Sequence, residues 1–199
     1  MTNYPTNKEL QKEYDVYYTQ NPKKWSGEAR DDFAVQALLP YNPRTVLDVG
    51  CGNGHTLKKM GDAFPTAKLY GIDVSSVGCK LARQNSGAQV DCVFLADYQP
   101  GIKFDLTICL GTAEHFEKPL DGFKKIRAFT NKICYLELPH NLLYSEGPVG
   151  FRRLATWSQQ LEWHLTRGEW ESIIADAGFE VVEALEGPNP AWEFIWLLK

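Results

Sequence analysis

Aliphatic positions fall in short blocks separated by glycine and polar turns. Val46, Leu47 and Val49 lead directly into Gly50-Cys51-Gly52-Asn53-Gly54, and from His55 onward Leu57, Met60 and Phe64 recur at helical spacing. A strand, a tight loop and a helix are predicted there. The same change of period repeats downstream. Strands near 45–49, 67–73, 90–97, 104–111 and 133–139 alternate with helices near 55–64, 75–85, 116–129 and 166–177. Such alternation predicts a parallel sheet with helices on both faces. The last helix opens at Thr166 with Glu169 at capping-box spacing, carries Trp170, Ile173, Ile174 and Ala177 on one side, and ends at Gly178. Residues 179–186 and 191–199 then read as strands around Gly187-Pro188-Asn189-Pro190, a link short enough to require antiparallel pairing. Trp192, Phe194 and Trp196 alternate on one face of the last strand, as core residues do. The first forty residues read as helical. Thr6 and Glu9 have capping-box spacing, Tyr14, Tyr17 and Tyr18 share a face, and a second segment, 26–39, ends at the Pro40 to Pro43 break.

The loop after the first strand carries the most chemistry. Glycine lets the backbone approach a ligand without Cβ contact, and the helix that follows aims free N–H groups at it. The spacing differs from the dinucleotide fingerprint G-x-G-x-x-G, because the third glycine comes one residue early and His55 stands in its place. Asp48, just before the loop, would repel a diphosphate but suits a ligand bearing an ammonium or another cation. Asp73 and Asp97 fall at predicted strand ends. A carboxylate there can accept both hydroxyls of a ribose or an exocyclic amine, and it can equally serve as a turn former or helix cap.

Taken in order, these segments resemble the class I S-adenosylmethionine (SAM)-dependent methyltransferases. Asp48, Gly50, Gly52 and Gly54 are similar to that family's first motif. Leu69-Tyr70-Gly71-Ile72-Asp73-Val74 is similar to its second strand, Val93 to Tyr98 to its third, and Phe104-Asp105-Leu106 to the opening of its fourth. The resemblance runs from about Thr45 to Lys199. It implies a three-layer α/β/α Rossmann-like sheet of seven strands, order 3-2-1-4-5-7-6, with the seventh antiparallel. It implies SAM as cofactor and S-adenosylhomocysteine as product. Asp73 would take the ribose hydroxyls and Asp97 the adenine amine, with Asp48, Gly50, Cys51, Gly52, Gly54, Val74, Tyr98 and Leu110 completing the cofactor contacts.

Composition sets bounds on this picture. At 199 residues, 44% of them hydrophobic, the chain suits one domain, with 1–42 as an N-terminal helical cap and 140–165 as an insertion on the substrate side. A formal net charge of −4 argues against a nucleic-acid backbone as main partner. No apolar run approaches the roughly 20 residues that span a bilayer, and Met1 to Pro5 lacks a basic-then-apolar leader, so a cytoplasmic protein without a membrane partner is expected. Five cysteines without C-x-x-C spacing suggest neither a disulfide framework nor a zinc knuckle. Cys51 lies at a helix N-terminus, where a thiolate is favoured, although a small filler is the simpler role.

In an open parallel sheet, ligands sit beyond the C-terminal strand ends. After the fourth strand comes Thr112-Ala113-Glu114-His115-Phe116, and after the fifth comes Pro139-His140-Asn141 with a long link to Thr166. Methyl transfer from a sulfonium mainly requires alignment, with a base where the acceptor is a hydroxyl. His115 and His140 are the candidate bases, alternatives being a helix-start or structural role. Tyr18, Trp25, Arg152, Trp157 and His164 are candidate substrate contacts, set against simple packing or solvated charge. Glu114-His115 also resembles part of the E-x-x-E-H pattern of a metal-dependent branch, but Gly111 stands where its first Glu belongs, so no metal is expected. The combined expectation is methyl transfer to an oxygen or nitrogen of a small molecule. The alternatives are a silent binding module on the same fold, a methyltransferase for protein or RNA, an aminopropyl transferase and a nicotinamide oxidoreductase.

Overall fold

The computed structural model describes residues 4–22, 27–139, 150–153, 161–190 and 193–199. Two helices, α1 (Asn7–Gln20) and α2 (Glu28–Leu38), precede an alternating series. It consists of β1 (Thr45–Val49), α3 (His55–Ala63), β2 (Lys68–Asp73), α4 (Ser76–Ser86), β3 (Gln89–Cys92), β4 (Phe104–Leu110), α5 (Pro119–Phe129) and β5 (Thr130–Pro139). A ribbon, β6 (Gly150–Arg153) and β7 (Leu161–His164), lies within the expected insertion, and α6 (Arg167–Asp176), β8 (Val181–Leu185) and β9 (Glu193–Leu198) close the chain.

The main sheet has the order β3-β2-β1-β4-β5-β9-β8, which is 3-2-1-4-5-7-6 when its own seven strands are counted. Pairs among β1 to β5 are parallel, and β9 runs antiparallel to both β5 and β8. The fold is therefore the α/β Rossmann-like arrangement expected from the sequence. Its core has two sides. Leu47, Val49, Phe123, Ile126, Trp170, Ile174, Phe194 and Trp196 pack between the sheet and α5 and α6. Ala34, Leu38, Val46, Met60, Leu106, Ile108, Ile195 and Leu197 pack on the other face, against α2 and α3. Successive side chains of a strand point to opposite faces, so the unbroken burial of β4 and the apolar run over 194–198 in β9 are what a strand covered on both sides requires. Phe194 and Trp196 are core residues, as their alternation suggested, whereas Trp192 lies outside the described residues.

Local chemistry accounts for the element ends. Both expected capping boxes form, Thr6 with Glu9 and Thr166 with Glu169. Three boundaries differ from expectation by three residues or more, β5 opening at Thr130 rather than near 133. The third strand stops at Cys92, and 95–97 form a 3₁₀ turn, because β3 is an edge strand whose neighbour ends at Asp73, the partner of Cys92. The helix expected from 116 begins at Pro119, after a 3₁₀ turn over Ala113–His115. Proline, with no N–H to lose, suits that first helical position. At the amino end of the central strand β4, Asp105 accepts the Arg44 N–H at 2.9 Å and the Lys132 ammonium at 3.0 Å, fastening the strand entrances.

Phe123 is fully buried against Trp170, while Val182 on the edge strand is 44% exposed. Phe123→Ala should cost about 3–5 kcal/mol, and Val182→Ala should stay within about 0.5 kcal/mol of wild type, as read by urea unfolding.

Candidate active site

The carboxyl ends of β1, β2, β4 and β5 converge, and the sequence places an acid at or next to each one. Asp48, Asp73, Glu114 and Glu137 are all at least 92% buried. The glycine loop joins them. Gly50 and Cys51 N–H both donate to the Ile72 carbonyl, at 2.8 and 3.0 Å, so the loop folds back over the end of β2. The Asp73 carboxylate then holds the arrangement, accepting Gly52 N–H on Oδ2 and Ser75 N–H on Oδ1, each at 2.8 Å. Gly54 sits at φ +80°, where a Cβ would lie 2.6 Å from the Ala82 Cα, so α3 and α4 approach each other only over a glycine.

Burial acts on these acids in a consistent direction. Asp48 is pushed up to about 8, first by loss of water and then by the charges of Asp31 and Asp73. Asp73 is raised less, to about 6, because burial is opposed by the N–H groups of Ser75 and Gly52. Glu137 rises to about 8 through burial even with the Arg30 guanidinium 3.2 Å away. Glu114 rises to about 8 through burial and then the nearby Glu162 charge.

The cofactor-side residues singled out by the sequence each have a place. Gly50, Gly52 and Gly54 form the loop, and Val74 follows Asp73 directly, its carbonyl facing Cys92 Sγ. Cys51 is a filler over Gly71, and burial holds its thiol far above its usual range, so the helix-end thiolate does not arise. Asp97 is exposed in the 3₁₀ turn after β3. Tyr98 turns inward and stacks edge-on with Phe129 at 5.6 Å, which leaves its backbone rather than its ring at the sheet edge. Leu110 is buried in the α2-side core at the end of β4.

The substrate-side expectations fare differently. Tyr18 reaches the glycine loop rather than the acceptor side: a Cβ on Gly52 would meet its hydroxyl at 2.5 Å, and one on Gly78 its ring at 3.0 Å. The helix bearing it is pinned by Asp15, whose carboxylate accepts from Ser75 Oγ at 2.6 Å and Val77 N–H at 3.1 Å. His164 is buried, its Nε2 3.6 Å from Glu162 Oε2. Arg152 lies in β6 opposite Glu162. Trp25, His140 and Trp157 lie outside the described residues. His115 stands at the tip of β4 as expected, its Nε2 3.8 Å from Glu114 Oε1 and 3.7 Å from Glu162 Oε1.

Arg30, Asp31, Glu137 and Glu162 were not foreseen. Asp31 is fully buried, accepts Thr56 Oγ1 at 3.1 Å and lies 3.5 Å from His55 Nδ1, so it locks the start of α3 to α2. Signals existed for two of them. Asp31 shares a helical face with Ala34, Val35 and Leu38, and Glu137 interrupts the apolar run of β5.

Comparison with known proteins agrees with this geometry. A family model described as "Methyltransferase domain" matches residues 22–184, and the chain belongs to that family. It is of the class I SAM-dependent type that its motifs resemble. A tRNA U34 carboxymethyltransferase of Haemophilus ducreyi is 34% identical over 113 residues, covering 51% of this chain and 35% of the relative. A malonyl-[acyl-carrier protein] O-methyltransferase of Anoxybacillus flavithermus is 26% identical over 102 residues, covering 50% of this chain and 39% of the relative. The chain thus spans little more than a third of the length of these curated relatives. Among solved structures, the 1,6-didemethyltoxoflavin-N1-methyltransferase of Burkholderia thailandensis, crystallised with 1,6-didemethyltoxoflavin and S-adenosylhomocysteine, superposes with a TM-score of 0.76 at 16% identity, over 100% of this chain and 92% of that one.

Gly54→Ala should destabilise the protein by about 1–3 kcal/mol, measured by urea unfolding, since it places a side chain at a left-handed position against backbone. A pH dependence follows from Asp48. Between the ordinary carboxylate range and about 8, the folded chain holds a proton that the unfolded chain has released, so stability falls as pH rises through that window. Asp48→Asn should reduce this slope by up to about 1.4 kcal/mol per pH unit, read from unfolding curves at pH 5 to 8.

Proposed function

We propose that this chain binds SAM at the glycine loop and transfers its methyl group to an oxygen or nitrogen of a small-molecule acceptor. The observation that carries this reading is the Asp73 carboxylate, buried at the tip of β2 and bonded to Gly52 N–H at 2.8 Å. Each oxygen of that carboxylate accepts one backbone N–H and retains a lone pair for a ribose hydroxyl. Gly54 lets α3 close on α4, Gly52 carries no side chain between the loop and Tyr18, and Tyr18 stands over the loop as an aromatic wall. The residues present therefore fit the group.

When bound, SAM supplies an electrophilic methyl on a sulfonium that leaves as a neutral thioether. The chain's own part is alignment and exclusion of water. Asp73 and the loop fix the nucleoside end, and α1, held by Asp15, covers it. On the acceptor side, the Glu114, His115 and Glu162 group, in which a carboxylate oxygen of each Glu lies 3.7–3.8 Å from His115 Nε2, would take the proton displaced from an O–H or N–H acceptor. The balance is acceptor–H plus sulfonium giving methylated acceptor, thioether and one proton.

A macromolecular acceptor is the second reading, favoured by the similarity to a tRNA enzyme. The electrostatics favour the first: with a net charge of −4 and Glu114, Glu137 and Glu162 buried around the acceptor side, a polyphosphate backbone gains no attraction to this edge.

In calorimetry, the wild-type chain should bind SAM and S-adenosylhomocysteine, and Asp73→Ala should weaken both by about 100-fold or more, the worth of two hydrogen bonds to a charged acceptor. Absence of binding to the wild type would end the proposal. With methyl-labelled SAM and a cell extract, label should enter the small-molecule fraction. Label confined to acid-precipitable RNA would establish the second reading instead.

A further inference from the structure

We infer that Glu114, His115 and Glu162 form a binding site for one divalent first-row transition cation, tying the β6–β7 ribbon to the tip of β4. The inference goes beyond the proposed methyl transfer and does not require it. The sequence predicted no metal, because Gly111 stands at the position of a first ligand. The fold supplies one from elsewhere. Glu162 lies on β7, 47 positions after His115, and one carboxylate oxygen each of Glu114 and Glu162 and one imidazole nitrogen of His115 all lie within 4.8 Å of one another. Donors sharing one tetrahedral ion at about 2.1 Å stand about 3.4 Å apart, so closure needs shifts of up to about 1 Å per side chain.

Two observations point to a ligand rather than to packing. Glu114 and Glu162 are 4% and 7% exposed, and the Oε2 atom of each accepts no hydrogen bond among the described residues. Two carboxylates this close and this dry repel each other unless a proton or a cation lies between them. The donor set is also of the right kind, since two carboxylates and an imidazole balance a divalent charge and suit manganese, iron or zinc. His164 Nε2, 3.6 Å from the other oxygen of Glu162, is placed to orient that carboxylate from behind.

The surroundings are rigid enough to hold such a site. The 3₁₀ turn bearing Glu114 and His115 is clasped from both sides: the Tyr4 hydroxyl donates to the His115 carbonyl at 2.7 Å, and Trp163 Nε1 donates to the Phe116 carbonyl at 2.8 Å. Three protein ligands leave coordination positions for water or for an oxygen or nitrogen of the acceptor, as in catalytic rather than structural metal sites.

The test uses the full chain stripped with EDTA and then titrated separately with Mn²⁺, followed by electron paramagnetic resonance, and with Zn²⁺, followed by calorimetry. One ion per chain should bind. Glu162→Gln and His115→Gln should each weaken binding at least about 10-fold, and His164→Gln by a comparable factor. S-adenosylhomocysteine affinity, measured alongside, should remain within about two-fold in all three variants, which shows that they fold. The inference is overturned if neither ion binds the wild type saturably below millimolar concentration, or if Glu162→Gln and His115→Gln retain wild-type stoichiometry and affinity. Failure of the wild type to bind S-adenosylhomocysteine would strike the methyl-transfer reading and leave the cation result standing.

Discussion

The bond from Gly52 N–H to the buried carboxylate of Asp73 holds together everything this molecule presents at its sheet edge. Asp73 ends β2, Gly52 belongs to the loop leaving β1, and Ser75, which donates to the other oxygen, caps α4. One side chain thus ties two strands, a loop and a helix. The arrangement has an internal tension, because a carboxylate removed from water prefers a proton. Two charge-assisted N–H bonds offset that preference and keep Asp73 at about 6, below its neighbour Asp48 at about 8.

The same tension recurs across the carboxyl edge. Asp31, Asp48, Glu114, Glu137 and Glu162 are all buried, and Arg30 is the cation within hydrogen-bonding reach of Glu137. A hydrophobic core alone has no use for this concentration of acids, and each one costs stability unless it is paired or protonated. Asp48, Glu114 and Glu137 lie at or just beyond the carboxyl ends of β1, β4 and β5, the edge at which parallel sheets hold ligands, while Asp31 is contributed by α2 and Glu162 by the ribbon.

The segments outside the alternating core converge on one short turn. The N-terminal stretch reaches Ala113–His115 through Tyr4, and the ribbon reaches the adjoining Phe116 through Trp163. Meanwhile α1 lies across α4 and the glycine loop through Asp15 and Tyr18. The N-terminal stretch and the β6–β7 ribbon are therefore attached by side-chain bonds to the turn that follows β4, whose position the sheet fixes.

Much of this was legible in the residues themselves. Periodicity and glycine placement located the strands of the main sheet, the capping boxes at Thr6 and Thr166, and the loop over 50–54, because these depend on neighbours a few positions away. Asp73 could be picked out for the same reason, standing where an apolar strand stops. What lay beyond the sequence depended on partners far along the chain. The early end of β3 was set by where β2 runs out, and the location of Tyr18 by how α1 lies on α4. The meeting of His115 with Glu162 required the β6–β7 ribbon to fold back onto the end of β4. Local spacing carries information about hydrogen bonds that close within one turn or one strand, whereas contacts over tens of residues are chosen by packing among whole elements, which no short pattern encodes.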